Sequence, residues 1–373
     1  MKYYLIAGEA SGDLHGANLM KALKKKDDTA EFRFWGGDLM EAEGGSQVIH
    51  YKERSFMGFW EVITNVRKAL KNIRYCKEDI ENFNPDALIF IDYSGFNLRI
   101  AKWAKPKGFI THYYITPQVW ASREGRVQDI KRDIDHLYVI LPFVKDFYQE
   151  KHQIEVDFVG HPLLDAISNR YSFDATMFKK QHQLDERPVI ALLPGSRKQE
   201  IKKMLSIMLS MIPKYQNYQF IIGGAPSQEE AFYRNIIKNA DVRLIQNRTY
   251  DLLSIAHAAL VTSGTATLET ALFKVPQVVC YKGSWLSYQI AKRIITLKYI
   301  SLVNLIVDKP LVTELIQADL NTKRLEKELG NILEGATRET ILNEYDLLIK
   351  KLGSGGASER AASLIIKNSK KAV

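Results

Sequence analysis

Short apolar runs alternate along this chain with stretches whose apolar residues recur at helical spacing. Candidate strands in the first half are Tyr3–Ala7, Phe32–Trp35, Ala87–Asp92, Phe109–Ile115, His136–Leu141 and Val156–Val159. The second half repeats the scheme at Pro188–Leu193, Tyr218–Ile222, Val242–Ile245, Ala259–Thr262 and Pro276–Tyr281. Short apolar runs separated by helical patterns predict parallel strands covered on both faces. Strands separated by helices predict right-handed crossovers, with ligands gathered at the carboxyl ends of the strands. The expected fold class is α/β, with two doubly wound domains facing a cleft. The predicted division is residues 1–167, residues 168–345, and a C-terminal helical segment 346–373 that packs back on the first domain or on a partner subunit. Ser354-Gly-Gly356 reads as the joint before the last helix. The cleft between two such domains is the default binding site.

Several strand ends run into small-residue loops that open a helix. Ala191-Leu-Leu-Pro-Gly-Ser-Arg197 is one. A turn of this kind leaves backbone N–H groups at the positive end of a helix dipole, a ready phosphate site, and Arg197 adds a planar cation beside Ser196. A tight turn with a surface arginine fits the same residues. Val261-Thr-Ser-Gly-Thr-Ala-Thr-Leu-Glu269 is the second such element. Ser263, Gly264 and Thr265 offer hydroxyl and backbone donors there. Glu269, one turn inside, suits the two hydroxyls of a ribose; a capping pair is the alternative. The amino-terminal loop Ala7-Gly-Glu-Ala-Ser-Gly-Asp-Leu-His-Gly16 lacks dinucleotide spacing and a Walker lysine. Its Ser11, Asp13 and His15 fit either a polar acceptor or a capped turn. Asp92 closes the strand Ala87–Asp92, where a half-dry carboxylate becomes a useful base; a helix or turn cap before Ser94-Gly95 is the alternative. His112, Thr116, Gln118 and Trp120 lie at the end of the next strand and are candidates to line the same opening, or, for the histidine, the core.

The formal net charge of +9 admits nucleic acid, an anionic membrane face or phosphorylated substrates as partners. No aromatic ribonucleoprotein pattern and no GXXG loop in a KH-like context appears, so nucleic acid is not expected. Basic residues concentrate at Arg67, Lys68, Lys71, Arg74 and Lys77, directly after the aromatics Phe56, Phe59 and Trp60. That combination suits docking on a membrane surface, or a core edge with a solvated face. The start of the chain is too quickly polar for a signal peptide, and no apolar run is long enough to span a bilayer. Cys76 and Cys280 sit in no metal-ligand spacing, which suits a reducing cytoplasm.

Gly8-Glu-Ala-Ser-Gly-Asp13, Ile91-Asp92, Pro117-Gln-Val-Trp120, Gly160-His161-Pro162, Leu193-Pro-Gly-Ser-Arg197, Ser263-Gly-Thr-Ala-Thr-Leu-Glu269 and Ser301-Leu-Val-Asn-Leu305 occur in this order. Together they resemble the lipid-A-disaccharide synthase family of inverting glycosyltransferases, over nearly the whole chain. The resemblance implies two Rossmann-like domains of the glycosyltransferase B type, with no metal and no cofactor. It implies transfer of 2,3-diacylglucosamine from UDP to the 6-hydroxyl of 2,3-diacylglucosamine 1-phosphate, giving the lipid A disaccharide 1-phosphate and UDP. It also implies work at the cytoplasmic face of the inner membrane, and a homodimer through the C-terminal segment. On the matching positions, Asp92 becomes the general base and Arg197 the cation on the leaving UDP. Ser196, Ser263, Gly264, Thr265, Glu269, Asn304 and Gln317 fall on the nucleotide side. Ser11, Asp13, His15 and Gln118 fall on the acceptor side. The family often carries Pro-Asp where this chain has Ser94-Gly95, which removes a second carboxylate near the base. A UDP-N-acetylglucosamine 2-epimerase on the same fold is the alternative enzyme, and a membrane-docking scaffold the alternative of another class.

Overall fold

The computed structural model describes residues 1–54, 59–168, 170, 172–283 and 297–370; the side chains of residue 54 and of residues 59–68 are outside the description. The chain divides into two compact units, one of Met1–Asp165 with Leu352–Val373 and one of Ala166–Lys351. The second junction differs from the predicted one. Residue 346 falls inside the helix Ala336–Leu352, which runs unbroken to the end of the second unit.

The first unit is built on β1 (Lys2–Ala7), β2 (Glu31–Gly36), β3 (Ser46–His50), β4 (Ala87–Ile91), β5 (Thr111–Tyr114), β6 (His136–Val139) and β7 (Asp157–Phe158). Among the described residues these form one sheet in the order β3-β2-β1-β4-β5-β6-β7, with every pairing parallel. β4 is buried along its whole length and β1 along all but its first residue. Continuous apolar runs form these strands because helices cover both faces. The order reverses between β1 and β4, so the loops after Ala7 and Ile91 open side by side at the switch point.

The second unit repeats the plan with β8 (Val189–Leu193), β9 (Gln219–Gly224), β10 (Arg243–Gln246), β11 (Ala256–Thr262), β12 (Gln277–Tyr281) and β13 (Thr313–Ile316). Their order is β10-β9-β8-β11-β12-β13, again parallel throughout. The switch point here lies between β8 and β11, at the exits of Leu193 and Thr262.

The last helix, Ala357–Ser369, is part of the first unit's core. Ala361, Ala362 and Ile365 are fully buried in the cluster that holds Leu19, Met20 and Leu23 of the helix Ala10–Lys24. Polar contacts fix the joint before it. Arg360 donates to the carbonyls of Val159, Gly355 and Ser354, each at 2.8 Å, and Asp165 accepts from the Gly356 and Ser358 amides. Lys370 is exposed at its end, and Lys371 lies outside the described residues.

Candidate functional site

In the second unit, β8 drives a buried run into Pro194-Gly195 and the helix Lys198–Leu209 follows. Gly195 has φ of 102°, a conformation that favours glycine, and a Cβ there would meet the Glu200 carboxylate at 3.1 Å. Arg197 takes the N-cap position in extended backbone with no side-chain cap. The first amides of the helix therefore have no intrahelical partner. The Ser196 carbonyl is held by Gln228 Nε2 at 2.8 Å and Ser227 Oγ at 3.4 Å, which turns the loop outward. The Arg197 side chain is 83% exposed and reaches Glu200 at 3.4 Å.

The neighbouring exit builds the facing wall of the same unit. Gly264 is the N-cap of the helix Thr265–Leu272, again without a side-chain cap. Thr265 is exposed at the helix start. The Ser263 hydroxyl is committed, donating to the Ile300 carbonyl at 2.8 Å, so this residue offers a ligand less than its type suggests. Glu269 accepts from the Tyr250 hydroxyl at 2.9 Å. Burial raises its pKa, and the Tyr250 bond pulls the other way. Gly195, Ser196, Thr262, Ser263, Gly264, Thr265 and Glu269 line one open cavity of about 240 Å³. Two uncapped helix starts beside one cavity suit an anion of several oxygens. Thr262 Oγ1, also on the lining, is buried without a hydrogen-bond partner.

Asn304 and Gln317 stand apart from that lining. Asn304 is buried, and its amide donates to the Val312 carbonyl and to Glu314, both at 2.9 Å, while its Oδ1 accepts from the Val312 amide at 2.9 Å. Glu314 also takes the Ile300 and Ser301 amides at 2.9 Å. This network fixes the segment whose carbonyl receives Ser263, so Asn304 reaches the cavity one step removed. Gln317 follows β13 with φ of 54°, and its Nε2 is buried without a partner.

In the first unit, the switch point gathers Gly8, Glu9, Asp92 and Tyr93. A Cβ on Gly8 would sit 2.2 Å from the Tyr93 ring, so only glycine fits under it. Strand β4 stops at Ile91, one residue short of the predicted end, because Asp92 turns into left-handed backbone with φ of 46°. Its carboxylate touches solvent, but the protein around it is dense enough that desolvation raises its pKa; Glu9 adds to the rise. An anionic base is lost as pH falls through this raised value. Glu9→Gln removes a negative neighbour, so the acid limb of a pH–rate profile is expected to move to lower pH. An unmoved limb would separate Glu9 from the base.

The acceptor-side residues divide. Ser11 is exposed in the first turn of its helix, and Gln118 is exposed after β5. Asp13 is 2% exposed, and its carboxylate accepts from the amides of Gly37 at 2.7 Å and of Leu39 and Met40 at 3.1 Å. It caps the short helix Asp38–Ala42 and has little left for a ligand. His15 has a buried, unpartnered Nδ1, and burial lowers its pKa to about 4, which keeps it neutral. His112 belongs to the core, set between Tyr138 at 3.0 Å and Ser369 at 2.9 Å. Thr116 is buried, and Trp120 packs edge-on to Phe143.

Phe56 lies outside the described residues. Phe59, Trp60, Arg67 and Lys68 fall in the helix Phe59–Phe83, but their side chains are outside the description. Further along that helix Lys71 and Arg74 are exposed, beside Leu70 at 58% and Tyr75 at 44% exposure. Lys77 sits over the Trp103 ring at 5.6 Å. Among the described residues no helix is long and apolar enough to cross a membrane.

The residue types alone did not point to Thr262, Gln228, Tyr250 or Glu200. Thr262 had the one usable signal, its place at the end of β11 beside the small-residue loop.

A family model described as lipid-A-disaccharide synthetase matches residues 3–367. The lipid-A-disaccharide synthase of Syntrophus aciditrophicus is 39% identical over 97% of this chain and 96% of its own length. Those of Geobacter sulfurreducens and Coxiella burnetii are each 36% identical over the same shares. Among solved structures, the UDP-GlcNAc 2-epimerase of Neisseria meningitidis, bound to UDP-GlcNAc, matches with a TM-score of 0.66 at 16% identity, over 98% of this chain and 100% of its own. A glycosyltransferase of kitacinnamycin matches with a TM-score of 0.65 at 13% identity, over 98% of each chain. At such identities the structural likeness shows the fold alone.

Proposed function

We propose a reaction from one premise: the chain belongs to the lipid-A-disaccharide synthetase family. The protein is a UDP-sugar-dependent glycosyltransferase of the glycosyltransferase B fold. It moves 2,3-diacylglucosamine from UDP to the 6-hydroxyl of 2,3-diacylglucosamine 1-phosphate, with inversion at the anomeric carbon. The products are the lipid A disaccharide 1-phosphate and UDP. The carrying observation is the family match across residues 3–367, which takes in both switch points.

The chemistry assigns one role to each. Asp92 accepts the proton of the acceptor 6-hydroxyl as that oxygen bonds to the anomeric carbon. The glycosidic C–O bond to the diphosphate breaks, and charge grows on the departing phosphate oxygens. Arg197 and the free amides at the starts of Lys198–Leu209 and Thr265–Leu272 stabilise that charge. Glu269 takes the ribose hydroxyls, with Tyr250 holding its other oxygen. Ser196, Gly264 and Thr265 contribute backbone to the diphosphate. Ser263 and Asn304 hold that wall through Ile300 and Glu314, and Gln317 is kept as a nucleotide-side contact. Ser11, His15 and Gln118 remain as acceptor-side contacts, and Asp13 keeps the loop in shape. Incubation with both lipid substrates tests the reading: mass analysis is expected to give a disaccharide 1-phosphate and UDP in equal amounts. Conversion of UDP-N-acetylglucosamine without an acceptor would favour the epimerase instead.

Acylated substrates sit in a bilayer, so the protein works as a peripheral protein on the cytoplasmic leaflet. The basic, partly apolar face of the helix Phe59–Phe83 is the proposed contact. Each basic side chain near an anionic surface contributes roughly 1 kcal/mol. Lys71→Ser with Arg74→Ser is therefore expected to weaken binding to phosphatidylglycerol vesicles by about tenfold or more, read by co-sedimentation. Unchanged sedimentation would return this face to plain solvation. A homodimer through the C-terminal segment belongs to the same proposal; sedimentation equilibrium reads it directly.

A further inference from the structure

Asp92 and Tyr93 both hold left-handed backbone, with φ of 46° and 49°. Two successive non-glycine residues in that region are uncommon and persist where surrounding structure enforces them. The enforcing groups can be identified. The carbonyl of Asp92 accepts from the Tyr113 hydroxyl at 2.6 Å and from Asn97 Nδ2 at 2.8 Å. Both donors are fully buried, Tyr113 on β5 and Asn97 on the helix Ser94–Ala104. The same Asn97 amide lies 3.3 Å from the Ile6 carbonyl and 3.4 Å from that of Ile91, which ties it to the ends of both switch-point strands. Burial and the nearby Asp92 push the Tyr113 pKa upward, so the phenol keeps its proton and remains a donor.

The arrangement is costly for a merely structural one. Asn97 Oδ1 is buried with no partner, an unsatisfied acceptor that an apolar side chain of similar size would not carry. What the amide gains is a fixed carbonyl at residue 92. A continued strand would have extended the sheet through this position; the fixed carbonyl instead turns the chain out, with the carboxylate reaching solvent.

We infer that Tyr113 and Asn97 are positioning residues for the transfer reaction: by clamping the Asp92 carbonyl they fix the left-handed turn that aims the Asp92 carboxylate at the acceptor hydroxyl. This rests on Asp92 being the general base. Neither residue touches a reacting atom in this scheme. They act through the geometry of the base alone.

The test is a double-mutant cycle on the full-length protein, with kcat and both KM values measured for wild type, Tyr113→Phe, Asp92→Asn and the double variant. Tyr113→Phe removes one hydroxyl and keeps the ring. It is expected to lower kcat by about tenfold, as misaimed catalytic groups do, with both KM values within about twofold. In the Asp92→Asn background the same change is expected to have no further effect, because no base remains to be aimed. A wild-type kcat for Tyr113→Phe would overturn the inference. So would an equal tenfold loss in the Asp92→Asn background, which would mark an independent structural effect. A near-normal kcat for Asp92→Asn alone would instead remove the base reading underneath it. Should Tyr113→Phe fail to fold, Asn97→Ser goes through the same cycle with the same deciding outcomes.

Discussion

Asp92→Asn is expected to lower turnover by about 10³-fold while leaving UDP binding within about twofold of wild type; loss of a positioned general base typically removes 10²–10⁴. The substitution keeps shape and volume. The left-handed turn is held through the backbone carbonyl of residue 92, which the variant retains. The lost group is only the proton acceptor. Its raised pKa, from desolvation by the surrounding protein first and Glu9 second, makes it a better base than an ordinary carboxylate. Steady-state kinetics with isothermal titration of UDP separates the two effects. A variant with a near-normal rate would take Asp92 out of the proton-transfer step.

Arg197→Ala is expected to have the second largest effect, a fall in kcat/KM of about 10²–10³ for removal of one charge-stabilising donor from a developing oxyanion. The competing reading is that Arg197 is occupied by Glu200. Magnitudes decide against it. The contact is 3.4 Å long on a side chain that is 83% exposed, and exposed pairs of this kind contribute about 0–1 kcal/mol. A guanidinium on a diphosphate makes charge-assisted, frequently bidentate bonds, each roughly twice as strong as a neutral one. On the proposed assignment, Arg197 is therefore expected to redirect at small cost when the nucleotide enters. Arg197→Lys is expected to recover only part of the loss, since the planar fork is gone. Equal kcat/KM for Arg197→Ala and wild type would leave the surface pair as the residue's whole role.

Much of the fold was legible in the sequence. Continuous apolar runs such as Val189–Leu193 and Ala87–Ile91 have no other good environment than a covered parallel sheet. The strands that escaped notice were β3 and β13, both at sheet edges. Ser46–His50 is half-buried or exposed throughout and follows two glycines in left-handed backbone, so it shows neither an apolar run nor alternation. Thr313–Ile316 carries Glu314, whose charge hides the strand; that carboxylate is occupied by Ile300, Ser301 and Asn304.

The candidate site was legible where chemistry is expected from position along the chain. Gly195 and Asp92 sit at strand exits, and strand exits at a switch point are where ligands bind. Side-chain commitments were not legible, because they depend on partners distant in sequence. Asp13 looks like a free carboxylate until Gly37, Leu39 and Met40 present their amides to it. Asn304 looks like a ligand contact until Val312 and Glu314 absorb its amide. Glu9 carries no assignment in the sequence, yet it adds to the desolvation that raises the pKa of Asp92.

A crystal soaked in UDP tests the nucleotide assignment at its root. Density is expected with the diphosphate against the amides at Ser196 and Thr265, Arg197 swung from Glu200 onto a phosphate oxygen, and the ribose on Glu269. UDP bound elsewhere, with the turn at Gly195 bare of ligand and Arg197 still on Glu200, would contradict it.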